Sequence, residues 1–333
     1  MIIAYHLHFR SPVHVGIESI GQEKIEYLIR SDTLWGAIIS KWLLLFNDDP
    51  ETLCLEPNFA ISSCFPLIHG VRFFPIPLGA LDILMNESAK LESGKEPTVK
   101  TIKKIKFIAE PFFEKLRSGE SLKLSDLGPD SVYPWEAPVQ NDIGLKRIKF
   151  SNEIQRPRIR TNQASGGVEE DSFFYCSDQF FSEDSGQFFL ARFNNEESQK
   201  KFEASILLLG DSGIGADRSV GRGLFSFNSH KIKNIKEKGQ KFLLLSLCIP
   251  NKQEVESGLL TDEMSRYGLV RRFGRAGDYR VNRFRRPDCW MLEEGSIFPV
   301  RPEGRIHKVI KASSEVPHDV YRNGKAFCLP VAI

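Results

Sequence analysis

Apolar and polar positions alternate in part along residues 2–15 (IIAYHLHFRSPVHV), with β-branched residues near both ends, a period that predicts a strand. A polar loop, 16–24, comes next. Ser31, Asp32 and Thr33 then offer a helix cap, with Asp32 read as the capping carboxylate. The following LWGAIISKWLLLF has the apolar spacing and length of a buried helix reaching about Phe46. From Cys64 to Leu81 short apolar pieces are punctuated by Pro and Gly. Proline cannot donate to a central ladder, so these predict short edge strands and an irregular connection. Residues 98–118 combine a basic, strand-like piece with a helix starting near Pro111.

The middle of the chain has another rhythm. Residues 151–175 carry basic alternating positions, a polar Ala-Ser-Gly-Gly tip and an aromatic strand, the pattern of a long β-hairpin arm. A strand near Phe188 to Phe193 follows, then a helix near Glu196 to Leu209 with Phe202, Ile206 and Leu209 on one face. That helix runs straight into a glycine-rich stretch and a strand over 224–227. The charged segment 231–240 looks like a boundary, after which a new strand, 242–250, opens a second unit. That unit closes with a turn at Asn323-Gly324 and a last strand. This order predicts an α+β architecture of two ferredoxin-like domains, 1–232 with a β-hairpin arm at 144–175, and 241–333.

Composition narrows the class. At 333 residues, 41% hydrophobic and 26% charged, the chain suits about two packed domains and not a disordered or fibrous protein. No apolar run approaches the roughly 20 residues of a spanning helix, so no membrane role is expected. The N-terminus lacks the order of a signal peptide, and a cytoplasmic location is expected. Six scattered cysteines have no metal-ligand or disulfide spacing and read as buried small hydrophobes.

Net charge is only +2, which removes any global argument for a polyanionic partner, but its distribution is uneven. Residues 266–286 hold eight arginines, Arg271 and Arg272 among them, against the single acid Asp278, with Tyr and Phe interleaved. Lys146, Arg147, Lys149, Arg156, Arg158 and Arg160 stand against Glu153 alone. Arginine's planar fork suits bidentate phosphate contacts and base stacking. A solvated, internally salt-bridged face is the plainer alternative.

The stretch Gly210 to Gly223 places five glycines in fourteen residues. Glycine lets a backbone take positive φ and approach a ligand closely, and Arg218, Ser219 and Arg222 sit among these glycines. A Walker-type loop is excluded because no Gly-Lys-Ser/Thr closes it. A dinucleotide fingerprint is excluded because the loop follows a helix and precedes a strand. Gly210-Asp211-Ser212-Gly213 echoes the nucleophile segment of trypsin-like proteases without the required His and Asp context. A plain long turn is the remaining structural reading. None of the seven histidines stands in a recognisable metal pattern, and no metal or cofactor is expected. His14, near a strand end, is a candidate general base on a ribose hydroxyl.

Taken in order, several segments resemble one family. Gly215-Ala216-Asp217-Arg218-Ser219-Val220-Gly221-Arg222-Gly223-Leu224-Phe225 resembles the glycine loop of the RAMP superfamily of CRISPR proteins. Ser11 to Gly16, Ile29 to Ala37, Phe73 to Leu78, Lys103 to Phe107, Arg156 to Arg160 and Tyr321 to Phe327 resemble more narrowly the fourth subunit of the type III-A (Csm) interference complex. The resemblance implies two ferredoxin-like (RRM-like) domains with a β-hairpin thumb. It further implies a non-catalytic subunit that caps the crRNA 5′ handle. Such a subunit bridges the large Palm-domain subunit to the RAMP backbone and meets target RNA only indirectly. On this reading Arg218, Ser219, Gly221, Arg222 and Gly223 hold handle phosphates, with Arg156, Arg158 and Arg160, Lys146 and Arg147, and His14 along the RNA. Arg271, Arg272, Tyr321, Arg322, Asn323 and Gly324 are further candidates. Asp217 departs from the most glycine-rich family loops by setting a negative charge beside Arg218. The alternatives are a metal-independent crRNA-processing endoribonuclease using His14, and an assembly scaffold whose arginines face acidic proteins. In the endoribonuclease class the loop usually lies near the C-terminus, whereas here 110 residues follow it.

Overall fold

In the computed structural model the described residues are 1–16, 24–91, 97–134, 150–159, 166–167, 173–232, 239–275 and 284–332. Lys146, Arg147 and Arg160 lie outside them. The first half runs β1 (Ile2–Phe9), α1 (Ser31–Leu45), α2 (Pro50–Leu55), β2 (Phe59–Ile61), β3 (Phe65–Ile68), β4 (Val71–Pro75), α3 (Asp82–Ser88) and α4 (Val99–Lys104). It continues with β5 (Phe107–Ala109), α5 (Glu110–Arg117), β6 (Val132–Tyr133), β7 (Ser151–Arg158), β8 (Phe174–Phe181), β9 (Ser185–Phe193), α6 (Glu196–Ser212) and β10 (Phe225–Ile232). The second half contains β11 (Lys241–Leu244), α7 (Lys252–Glu256), β12 (Leu269–Arg272), β13 (Cys289–Leu292), β14 (Ile297–Phe298), β15 (Gly304–Ile310), β16 (Val320–Lys325) and β17 (Cys328–Val331).

The main sheet has the order β10-β1-β9-β3-β4-β5-β6, with β2 also paired to β9. Its first four strands, with α1 after β1 and α6 after β9, give the β-α-β-β-α-β ferredoxin-like arrangement, with β10-β1, β1-β9 and β9-β3 all antiparallel. Strand β1 explains why its sequence alternates only in part: it is covered on both faces. Ile3, Tyr5 and Leu7 point with Phe189 and Ala191 toward Trp35, Ile38 and Trp42 of α1 and Phe202, Ile206 and Leu209 of α6. Ile2 and Ala4 point the other way with Phe188 and Leu190. There they share a core with Phe74 and Phe113 and with Leu243, Leu245, Ile297, Phe327 and Leu329 of the second half. Burying each of these side chains contributes about 1.5–3 kcal/mol relative to exposure. The small sheet β14-β11-β17 of the second half thus covers the sheet's second face, while the hairpin β15-β16 packs Ile306 and Tyr321 against the core on the helix side.

Four local expectations are corrected. Asp32 does not cap α1: the cap position is Arg30, without a side-chain hydrogen bond, and the buried Asp32 carboxylate accepts from Arg272 instead. The basic piece after Thr98 is helical, because the Thr98 hydroxyl accepts from the Thr101 amide and starts α4. Strands β3 and β4 are interior rather than edge strands; each is so short that its one proline forfeits at most a single ladder bond. Asn323 and Gly324 form no turn, since both lie inside β16 opposite Ile306 and Arg305 of β15. The 151–175 arm is a hairpin from Ser151↔Phe181 to Arg158↔Phe174.

His6 sits on β1 with 9% exposure, its ring 4.4 Å from that of His230, and its Nε2 has no hydrogen-bond partner. Burial first, then repulsion from His230, Arg72 and His8, lowers its pKa to about 4. The folded state therefore holds fewer protons than the unfolded chain between pH 6.5 and 4. The neutral-His6 contribution is complete above pH 6.5 and is lost as pH falls through that window, up to about 3 kcal/mol. Urea midpoints at pH 7, 5 and 4 are expected to fall more steeply for the wild type than for His6→Phe; equal slopes would refute the assignment.

Candidate nucleic-acid interface

The glycine stretch is built outward from α6. Asn195 caps the helix by accepting from the Ser198 amide, and Gly213 (φ 82°) ends it. The loop then folds onto the end of β1 and onto itself. Ile214 N–H donates to Gly223 O at 3.0 Å, Ala216 N–H to His14 O at 2.8 Å, and Gly223 N–H to Pro12 O at 2.8 Å. The glycines are required by this lacing. A Cβ on Gly213 would lie 2.2 Å from Arg222 O, on Gly215 2.4 Å from His14 O, and on Gly223 2.0 Å from Ile214 O, all at positive φ. Only Gly221, at φ 79°, faces open space within the loop's core. Gly221 and Gly223 spend their amides on Arg218 O and Pro12 O, so neither offers a free donor to phosphate, contrary to expectation.

The arm is clipped to the loop by ion pairs. Arg158 lies 2.6 Å from Asp217, Arg222 lies 2.8 Å from the buried Asp178, and Arg156 lies 3.8 Å from Asp178 with its guanidinium 5.1 Å over Phe180. Asp217 takes the left-handed conformation (φ 59°), which aspartate tolerates better than most residues. Its negative charge is answered by Arg158 and does not cancel Arg218. His14 is buried at 3%, its Nδ1 donating to Ser177 O at 2.6 Å beneath the loop, so it is not placed to meet a ribose hydroxyl. His14, Cys176 and Asp178 do come within 4.8 Å of one another, a gathering that sequence spacing did not reveal. The Arg222 ion pair and the Ser177 hydrogen bond make it a polar floor under the loop.

The outward side is cationic. Arg218, Ser219 and Gly221 are exposed. Among the described residues the Arg218 side chain has no carboxylate partner, and the amides of Arg218 and Ser219 donate to no protein acceptor. Lys41, from the middle of α1, lines the same hollow with Ser212 and Gly215 to Ser219. Burial first, and the neighbouring Arg218 charge second, lower the Lys41 pKa. Sequence reasoning missed Lys41, although it is the one base in α1. Phe173 and Tyr175 add an exposed edge-to-face aromatic pair on the arm, 5.2 Å between centroids.

The candidates from the second half separate. Arg271 is exposed and paired with Asp288. Arg272 is 8% exposed; its guanidinium donates to Asp32 at 2.9 and 3.2 Å and to Glu26 at 2.6 Å. Arg322 and Asn323 are buried at 1% and 4%, and Gly324 is buried in the same strand. Half-buried Tyr321 donates to Asp319 under Lys308. Arg272, Arg322, Asn323 and Gly324 are corrected as direct contacts because they are buried: Arg272 against Asp32 and Glu26 of the first half, Arg322 against Arg272 and Cys289, and Gly324 against Arg305 and Ile249.

A ferredoxin-like sheet carrying a glycine loop between its last helix and last strand, with a basic outer edge, defines the α+β class to which the chain belongs. The chain belongs to the RAMP superfamily, whose family model matches residues 6–226. Residues 237–331 match the CRISPR Csm4 C-terminal domain. The chain is similar to two proteins named CRISPR system Cms protein Csm4. One is from Methanocaldococcus jannaschii, 23% identical with 96% of this chain and 94% of the relative covered. The other is from Thermococcus onnurineus, 24% identical with 97% and 98% covered. Its fold is similar to a chain of the Csm3-Csm4 subcomplex of a type III-A interference complex, at TM-score 0.61 and 17% identity with 100% of both chains covered. It is also similar to a chain of a Csm1-Csm4 cassette in complex with pppApA, at TM-score 0.60 and 20% identity with 100% and 98% covered.

Gly223→Ala, which drives a Cβ into Ile214 O, is expected to lower stability by about 2 kcal/mol or more, and Gly221→Ala by only about 1 kcal/mol of positive-φ strain. Thermal unfolding of the two variants checks this; equal losses would contradict the packing role of Gly223.

Proposed function

We propose that this chain is a Csm4-type subunit of a type III-A CRISPR effector complex that grips the 5′ handle of crRNA without cleaving it. The observation that carries this reading is the patch of Arg218, Lys41 and the Arg218 and Ser219 amides, which among the described residues have no carboxylate or acceptor partner. Unpaired cations beside unspent main-chain donors suit phosphate oxygens. The exposed aromatics of the arm suit base stacking along a single strand. Burial of His14 under the loop disfavours a ribonuclease that uses it as base. The division into 1–232 and 241–333 belongs to the same reading, supported by family matches that end at 226 and resume at 237.

The partners in this reading are the large Palm-domain subunit and the backbone RAMP subunit, the roles of Csm1 and Csm3 in the complexes that the chain's fold resembles. Target RNA would be met through them.

An Arg218→Ala/Lys41→Ala variant is expected to bind single-stranded handle RNA at least tenfold more weakly. The slope of log affinity against log salt should fall by about 1.4, at roughly 0.7 per phosphate contact. Wild-type affinity with an unchanged slope, measured by fluorescence anisotropy across a salt series, would remove the loop from the interface.

A further inference from the structure

A second cationic cluster lies where the two halves meet. Arg322 is 1% exposed; its Nη1 donates to Arg272 O at 2.7 Å and to Cys289 Sγ at 2.9 Å, and its Nε and Nη2 have no hydrogen-bond partner. Arg286 is half-buried and its Nε is likewise without one. Among the described residues no carboxylate pairs with Arg286 or Arg322. Asp32 and Glu26 are both committed to Arg272, and Asp288 to Arg271 and Arg285. Asp32 is thus shared among three guanidinium groups, with Glu26 as the second acid, and an excess of buried positive charge favours an anion from outside.

The cluster has an opening. Arg272, Gly274 and Arg286 line a groove of about 2220 Å³ that Gly215 and Arg218 of the glycine loop also line. Gly274, at φ 121°, holds the Arg286 amide through its carbonyl at 2.8 Å, and a Cβ there would stand 3.3 Å from the Arg286 Nη2. The guanidinium is thus seated at the groove wall by a residue that leaves it room. Asp32, Glu26, Glu293 and Glu294 also line this groove. Glu294 accepts from Arg30, and Asp32, although paired with Arg272, also attracts Arg286.

We infer that the groove wall at Arg286, backed by the field of Arg322 and Arg272, is a phosphate-binding site separate from the glycine loop. Arg286 donates to the phosphate oxygens directly; Arg322 and Arg272 act through position. The phosphate comes either from an RNA strand continuing along the groove, which rests on the function proposed above, or from a free nucleotide.

Full-length wild type, Arg286→Ala, Arg286→Lys and the Arg218→Ala/Lys41→Ala variant are compared with two probes. ATP is assayed by thermal shift and handle RNA by anisotropy over a salt series. With a strand as source, Arg286→Ala weakens RNA about tenfold and lowers its salt slope by about 0.7, with partial recovery in Arg286→Lys. With a free nucleotide as source, ATP raises the melting temperature of wild type and of the loop variant but not of Arg286→Ala. Loss of RNA binding confined to the loop variant would remove the strand as the source at Arg286 while leaving the ATP arm intact, whereas unchanged RNA binding by the loop variant would refute the function proposed above without touching the ATP arm. If Arg286→Ala does not fold, phenylglyoxal labelling of the wild type replaces it, with Arg286 expected to be shielded by one of the probes. Equal response of all proteins to both probes, or equal labelling of Arg286 with and without them, overturns the site.

Discussion

One buried ion pair organises the rest of the molecule. The Arg272 guanidinium, carried on β12 of the second half, enters between Asp32 at the start of α1 and Glu26 just before it. Burial alone would push the Asp32 carboxyl up, and the guanidinium overrides this and holds it below the usual carboxylate range. Such a pair adds little net stability over a well-packed apolar contact, yet loss of one partner leaves a buried charge at a cost of about 3–5 kcal/mol. Its consequence is geometric: β12 has only one register in which Arg272 meets both acids. Around it, Leu247 N–H donates to the Ser31 hydroxyl and Ser63 N–H to Leu245 O, so the start of α1 and the second half are pinned at one seam. The groove exists because this seam closes one side of it.

The glycine loop shows how a backbone freed for positive φ can serve packing and still leave a binding edge. Its glycines allow carbonyls of Ile214, His14 and Arg222 to approach where any side chain would collide. Its acid, Asp217, and the buried Asp178 behind it consume the charges of Arg158 and Arg222. What remains unspent is the outermost turn, where Arg218 and Lys41 crowd each other and two amides point at no protein acceptor. The charge balance near zero over the whole chain is therefore compatible with a local excess, because acids and bases are paired by fold rather than by sequence.

Much of this was legible beforehand. The period-two strand at the N-terminus, the amphipathic face of Phe202, Ile206 and Leu209, the hairpin arm and the glycine loop all follow from local pattern, and the fold keeps them. Long-range pairing was not legible. Asp32 has the spacing of a cap, and only a partner 240 residues away makes it an ion-pair acid. Arginine runs count charges without revealing which are covered: Arg271 and Arg272 are neighbours in sequence, one exposed and one buried, because alternate residues of β12 face opposite sides. Asn323-Gly324 has turn chemistry, but the ladder with β15 continues through it. Lys41 carried one weak signal, a single base in a helix rich in tryptophan, leucine and isoleucine, and its meaning depends on a loop 177 residues later in the chain.

The two cationic places differ in how they are maintained, and the difference follows from solvent. Arg218 is exposed, so water can stabilise it when nothing is bound, and its interaction with an anion is screened by salt. Arg322 has no such recourse: two of its donors are shut away from both water and carboxylate. A sequence free to vary would lower its folding cost by replacing that side chain with an apolar one of similar volume. Nor does Arg322 shape the groove as Arg272 does, for its one backbone hydrogen bond reaches only the Arg272 carbonyl. Positive potential at the wall beside Arg286 is the remaining physical effect of keeping it, and that potential matters only where a negative group comes to rest.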